Sequence, residues 1–149
     1  MRRLWIPILL LVLAAGVVTA DITLSNDTPL TFGSVIAPTA AGSVTVSPAG
    51  TRTASGVIPF GASAFGPATF TVTIPKGRKD FTVLLPASAT LSDGNGQTMT
   101  IDAFTSNPTG IISAKRGTAV VTIGATLHLD PGQRSGAYNG SFPVTVVQQ

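Results

Sequence analysis

The sequence predicts an all-β fold: one antiparallel β-sandwich of about 7–9 short strands. Three features support this prediction. Apolar and polar residues alternate with the two-residue period of a half-buried strand, and turn-forming residues recur between the alternating runs. In addition, no segment combines apolar residues at helical spacing with recognisable caps. We therefore expect strands and turns in a single domain, without a second domain or a linker.

The alternating runs follow one another along the chain. In the run 69–74, threonines alternate with Phe70, Val72 and Ile74, and in the run 121–129 five apolar residues share one face. The remaining runs, in chain order, are 30–35, 43–47, 53–58, 80–85, 98–104 and 141–146. Turn signals separate them at Ala37-Pro38, 47–50, 75–77, 92–96, Asn107-Pro108, 115–117, 130–132 and Asn139-Gly140.

Residues 1–20 are predicted to be a secretory signal peptide. Two arginines precede an apolar run from Leu4 to Val18, and the small-residue pattern Val18-Thr19-Ala20 follows. A membrane anchor is the alternative, but the apolar run is short for a transmembrane helix. Cleavage after Ala20 is preferred, and an earlier site follows Ala14. We expect residues 21–149 to form one exported domain in the periplasm, on the cell surface or in the medium, without a membrane span.

Charge and cysteine content narrow the class of protein. Two of the nine basic residues would leave with the signal peptide, so seven face six aspartates and the net charge is about +1. The sequence pI of about 10.0 is therefore no argument for nucleic acid binding, and no nucleic acid partner is expected. The chain has no cysteine. Packing and strand pairing must therefore stabilise the domain without disulfides.

The sequence offers little for catalysis. His128 is the only histidine, so a Ser-His-Asp arrangement has one candidate base. Alternation places it on the outward face near Thr126 and Asp130, which favours a solvated polar face. A zinc site needs three or four ligands, and one histidine without cysteine cannot supply them. We expect no enzymatic activity, no metal and no cofactor.

Two short motifs have both a functional and a structural interpretation. "SDGNGQ" at 92–97 is similar to the first half of a calcium loop, but the remaining ligands are missing, which favours a glycine-rich turn. "KGRKD" at 76–80 places three basic residues around a glycine. It could contact an anionic glycan or lipid surface, but the expectation is a solvated hairpin tip.

Two longer blocks resemble a known family. "GSVTVSPAGTRTASG" at 42–56 and "GATLHLDPGQRSGAYNGSFPVTV" at 124–146 are similar to the signature blocks of a secreted bacterial domain family of unknown function. "LTFGSV" at 30–35, "FTVLLP" at 81–86 and "MTIDAF" at 99–104 follow in that family's order. The resemblance runs from about residue 30 to the end.

The closing block also resembles spore coat U-type proteins and the pilins of archaic chaperone–usher fimbriae. The resemblance implies an immunoglobulin-like sandwich that lacks its last strand. A periplasmic chaperone would fill the gap first, and the N-terminal extension of the next pilin-like subunit would replace it at the outer-membrane usher. The implied function is that of a non-enzymatic structural subunit of a fimbria or another surface assembly.

This resemblance gives the terminal strand a role. Phe142, Val144 and Val146 are expected to face the core beside an open edge and an assembly groove, because the sequence stops soon after them. Donor-strand addition would then use main-chain hydrogen bonds and side-chain pockets. The alternative is that an earlier strand, around Leu30, closes this edge within the same chain.

The expected donor segment precedes the domain. Cleavage after Ala20 would leave only Ile22 and Leu24 as alternating apolar residues, which suits a subunit that accepts a strand without donating one. Cleavage after Ala14 would add Val18 and Ala20 to the same face, which suits a polymerising subunit. The alternative from another functional class is a self-contained, monomeric binding module, for example for surface glycans.

Overall fold

The computed structural model describes residues 22–149, and every strand pairing in this range is antiparallel. The strands, in chain order, are β1 (Thr23–Thr28), β2 (Val35–Ile36), β3 (Gly42–Val46), β4 (Arg52–Ser55), β5 (Ile58–Pro59), β6 (Ala68–Leu84), β7 (Ser88–Ser92), β8 (Thr98–Asn107), β9 (Ile111–Leu129) and β10 (Thr145–Gln148). The predicted all-β class is confirmed. The predicted signal peptide, residues 1–20, lies outside the described residues.

The strands form a large curled sheet, shaped like half of a barrel, and a small sheet of β2 and β5. The large sheet is built on β6 and β9, which are 17 and 19 residues long and pair along most of their length. β9 continues past β6 to pair with β3 on the same side, and β8 pairs with its other side. β4 and β7 extend the sheet beyond β3 and β8.

The change of partner along β9 depends on Gly124. This residue lies between the part of β9 that pairs with β6 and the part that pairs with β3. A Cβ atom at this position would lie 2.1 Å from the carbonyl oxygen of Val46. Only glycine allows so close an approach of the end of β3 to β9. The sheet therefore curls at a position of β9 where there is no room for a side chain.

Two predicted turns are wrong. Residues 75–77 lie within β6 and residues 115–117 lie within β9, where the two segments face each other. The register shifts between Ile74 and Arg78, and Gly77 and Gly117 adopt φ of +69° and +125°. The glycines therefore allow a β-bulge in a continuous strand pair rather than a hairpin turn. The basic motif at 76–80 is accordingly not a hairpin tip.

The core lies on the concave side of the curled sheet and is apolar. Its largest fully buried side chains belong to Tyr138, Phe32, Phe70, Phe81 and Phe142. The irregular segment before β10 contributes to this core, because Tyr138 and Phe142 both belong to it. The run 30–35, predicted as a strand, forms only a single bridge at Thr31 and the first residue of β2, although Leu30 and Phe32 are fully buried.

Candidate assembly edge

One edge of β6 is covered by two short strands placed end to end. β1 pairs with Thr69–Thr73, and β10 pairs with Phe81–Leu84. The opposite edge of β6 pairs with β9 over Ala68–Ile74 and Arg78–Thr82. The bulge between Ile74 and Arg78 separates the two short strands. Both halves of this edge are therefore occupied by segments of the same chain.

The three residues predicted to line the groove lie at the β10 end of this edge. Phe142 and Val144 are each 1% exposed, and Val146 is half-buried opposite Val83. The strand begins at Thr145, so Phe142 and Val144 belong to the irregular segment before it. The Phe142 ring centroid is 4.7 Å from that of Phe104. All three side chains thus contact the core, and their role in assembly stays a prediction.

The outer edge of β10 pairs with no other strand in the range 22–149. The strand is only four residues long, and the next amide, that of Gln149, donates to the carbonyl oxygen of Asp80 at 2.8 Å. The segment around Leu30 does not cover this edge, because Thr31 pairs with Gly66 instead. A strand of another chain could therefore pair with β10 without displacing a strand of the described domain.

The donor segment occupies the other end of the edge. Ile22 and Leu24 are half-buried against the core, and Leu24 lies opposite Val72. Val18 and Ala20, the other two predicted donor residues, lie outside the described residues. The structure thus places the described half of the segment on β6 of its own chain.

β1 is attached mainly through its backbone. From Ser25 to Thr28 every side chain is exposed, and the register is irregular between Asn26 and Thr28. Polar side-chain contacts supplement the pairing: the Thr71 hydroxyl donates to the Asp27 carboxylate at 2.5 Å, and the hydroxyls of Thr28 and Thr69 are hydrogen-bonded. Few apolar contacts therefore oppose the removal of this strand.

His128 lies on the outward face, with a partner that the sequence interpretation missed. Its Nε2 atom is 2.7 Å from Oδ1 of Asp102, and both side chains are nearly half exposed. Asp102 belongs to β8, so only the pairing of β8 with β9 brings the two together. Ser43, on β3, is a register partner of His128. The His128 ring is hydrogen-bonded to Asp102, and the two side chains form an exposed polar pair.

In the loop at 92–97, side-chain oxygens accept hydrogen bonds from backbone amides of the same loop. The Asp93 carboxylate accepts hydrogen bonds from the amides of Asn95 and Gln97 at 2.7 and 3.0 Å, and the Ser92 hydroxyl accepts one from the amide of Gly94. This is a side-chain-stabilised turn between β7 and β8. Within the described part of the chain, no group of three or more possible metal ligands occurs.

A pocket of about 380 Å³ opens at the surface beside the end of β1. Its lining combines the ring of Phe65 with small and hydroxyl-bearing residues and has no charged side chain; the other lining residues are Thr28, Pro29, Thr31, Ala64, Gly66, Pro67 and Thr69. Sequence reasoning missed this pocket, because two segments more than thirty residues apart, 28–31 and 64–69, form it.

Arg52 packs against Phe65, which lines this pocket. Its guanidinium carbon lies 4.2 Å from the centre of the Phe65 ring. It donates hydrogen bonds to the carbonyl oxygens of Phe32 and Phe60 at 3.2 and 3.0 Å and to the Ser63 hydroxyl at 3.2 Å. Burial lowers the pKa of Arg52 from its ordinary value. The ring of Phe65, 39% exposed, is thus fixed in place at the rim.

The fold and its strand edge define a small, cysteine-free, all-β antiparallel domain. The chain belongs to the family described as Domain of unknown function (DUF4402), which matches residues 22–147. The predicted membership of a domain family of unknown function is thereby confirmed, and the match includes β1. No curated protein and no solved structure matches the chain. None of the described residues forms a helix long and apolar enough to span a bilayer.

Proposed function

We propose that this protein is an exported, non-enzymatic structural subunit of a fimbria or another cell-surface assembly, built by donor-strand complementation. The observation that carries the proposal is β1, an edge strand whose last four side chains are exposed and which is held on β6 mainly by main-chain pairing. An exposed edge pairs readily with strands of other chains. The resemblance to spore coat U-type proteins and archaic pilins supports the same assignment.

The proposal includes an immunoglobulin-like sandwich that is completed by a strand from a neighbour. Tyr138 supports this part of it. Its hydroxyl donates to the carbonyl oxygen of Arg134 at 2.7 Å, four residues upstream. A buried tyrosine bonded to the backbone a few residues before it is a hallmark of immunoglobulin-like domains. In this view the curled sheet supplies both layers, and β9 passes from one layer to the other.

Strand exchange would cost little free energy overall. When β1 leaves, it exposes the edge of Thr69–Thr73, and the same segment of a second copy can restore the same hydrogen bonds and the contact of Leu24 with Val72. With cleavage after Ala14, Val18 and Ala20 would extend the apolar face of the donor. A periplasmic chaperone would protect the edge before exchange, and an outer-membrane usher would order the subunits.

A disulfide between β1 and β6 tests this mechanism. Ser25 and Thr71 are register partners, and the chain has no cysteine of its own, so Ser25→Cys with Thr71→Cys creates the only possible disulfide. We expect the oxidised variant to remain monomeric and the reduced variant to form assemblies, as measured by electron microscopy and light scattering. Assembly requires a free β1 in this mechanism.

The matched control joins a strand pair away from the edge. Thr90 and Thr100 are exposed register partners on β7 and β8, so Thr90→Cys with Thr100→Cys should assemble in both redox states. Assemblies of the oxidised Ser25/Thr71 variant whose disulfides are all intramolecular, as checked by non-reducing electrophoresis, would show that β1 is not the donor. A protein that stays monomeric in every state, even with its chaperone, would contradict the assembly function itself.

A second candidate function is a self-contained, secreted binding module. The pocket beside Phe65 favours it, because an immobilised aromatic ring next to threonine hydroxyls suits a neutral sugar. In this case β1 would stay on its own β6. A soluble monomer in both redox states of the Ser25/Thr71 variant would favour this function over assembly.

A further inference from the structure

Basic residues are concentrated at one place on the β6–β9 pair. Five of the seven basic residues beyond residue 21 occupy positions 76, 78, 79, 115 and 116. The two groups are more than thirty residues apart in sequence, and the pairing of β6 with β9 brings them together at the bulge. Arg78 and Lys115 are direct register partners, and both are exposed.

The pairing of Arg78 with Lys115 is unfavourable by itself, because like charges on directly opposed residues repel. In the described part of the chain neither side chain forms an ion pair. The acidic residue two positions along, Asp80, instead accepts a hydrogen bond from the Ser113 hydroxyl. The charges of Arg78 and Lys115 are therefore open to an anion from outside the chain.

Exposed aliphatic side chains lie on the same face of the strand pair. Leu84, Ile111 and Val147 are 51%, 66% and 38% exposed. Directly paired residues share a face, and Thr82 is paired with both Ile111 and Val147. Residues 78, 80, 82 and 84 alternate with the buried Phe81 and so point outward together.

The outward face thus has a cationic end at Arg78 and Lys115 and an aliphatic end at Leu84, Ile111 and Val147. We call these five residues the ribbon patch. The aliphatic residues lie four to six residues along β6 from Arg78, about 13–20 Å from the rise per residue of a strand. The sequence interpretation could not find the patch, because it places residues 76–80 at a hairpin tip and considers 115–117 a separate turn.

We propose that the ribbon patch binds the surface of an anionic lipid bilayer. Aliphatic side chains enter the boundary between headgroups and acyl chains, and adjacent cations attract anionic headgroups. Exposed aliphatic residues would add little to the binding of a polyanion, whereas a bilayer uses both ends of the patch. The aliphatic end has no aromatic side chain, unlike the core of a typical protein interface. This contact goes beyond the assembly function, because it would hold the domain flat against a membrane.

Vesicle sedimentation tests the proposal with the secreted protein. One vesicle preparation contains equal parts of phosphatidylglycerol and phosphatidylcholine, and the other contains phosphatidylcholine alone. We expect binding to the anionic vesicles, weakened by added salt, and little binding to the neutral ones. Arg78→Gln with Lys115→Gln should lower the partition constant about thirtyfold. Ile111→Thr with Leu84→Thr should lower it about tenfold.

Two control variants match these changes away from the patch. Val120→Thr alters a residue of β9 that is 56% exposed on the other side of the bulge, and Arg134→Gln removes an exposed cation outside the β6–β9 pair. Neither should change binding. Absence of binding to anionic vesicles, equal binding to both preparations, or equal losses in the controls would overturn the proposal. One more outcome would overturn it: the protein binds dextran sulfate as well as vesicles, and only the charge variant loses this binding. The aliphatic end would then have no role.

Discussion

Tyr138 connects the irregular segment before β10 to the rest of the domain. Its hydroxyl donates to the carbonyl oxygen of Arg134 and accepts from the side-chain amide of Gln133 at 2.9 Å. The same amide donates to the carbonyl oxygen of Thr98 at 3.3 Å, so the network reaches β8. Gln133 is polar and only 5% exposed. Among the residues that the structure describes, no buried side-chain nitrogen or oxygen lacks a hydrogen-bond partner.

Tyr138→Phe should therefore reduce the free energy of unfolding by about 1–3 kcal/mol, because the buried side-chain amide of Gln133 loses an acceptor and the carbonyl of Arg134 loses its donor. His128→Thr is the comparison, since it removes an exposed pair and should cost at most about 1 kcal/mol. Urea denaturation of both variants measures the difference. Equal losses would mean that the His128–Asp102 pair has a structural importance that its exposure does not suggest.

At the scale of elements, alternation predicts the inward face of the segment 141–146 well. Phe142 and Val144 are buried, although their segment is irregular, since the alternation of side chains follows extended backbone whether or not a ladder forms. Turn signals at 75–77 and 115–117 fail for a different reason. Glycine and basic residues suit a bulge as well as a turn, and only the long-range pairing of β6 with β9 distinguishes the two. The Asp102–His128 contact and the Phe65 pocket are equally non-local.

The burial of Val144 leads to a prediction for this segment. Val144→Asp would place a carboxylate in an apolar core, a change comparable in cost to the net stability of a domain. We expect the yield of folded, secreted protein to fall below detection. Ser141→Asp, at an exposed position in the same segment, is the control and should give normal yield. Normal yield and melting temperature for Val144→Asp would mean that the segment packs differently.

At the scale of the whole molecule, two strands hold the fold together. β6 and β9 each have three strand partners, and the remaining strands of the large sheet attach to one of them directly or through β3 and β8. Long strands that bend at glycines allow one sheet to curl around a core without disulfides. The class of this fold is predictable from alternation and turn frequency, but the curl is not, because it depends on close approaches such as that of Gly124 to Val46.

The placement of β1 and β10 on β6 brings the two ends of the described chain together. β1 begins opposite Thr73 and β10 ends opposite Phe81, so at most about 27 Å of β6 separates them. A linker of about ten residues can span this distance. A circular permutant that joins residue 149 to residue 22 and opens the exposed loop at Thr109-Gly110 should therefore fold and melt cooperatively. Calorimetry would check this, and failure to fold would contradict the adjacency.

The order of the strands along the chain is thus separable from their arrangement in the sheet. The same sheet could form from a chain that starts at a different point, with its first strand covalently joined to its last.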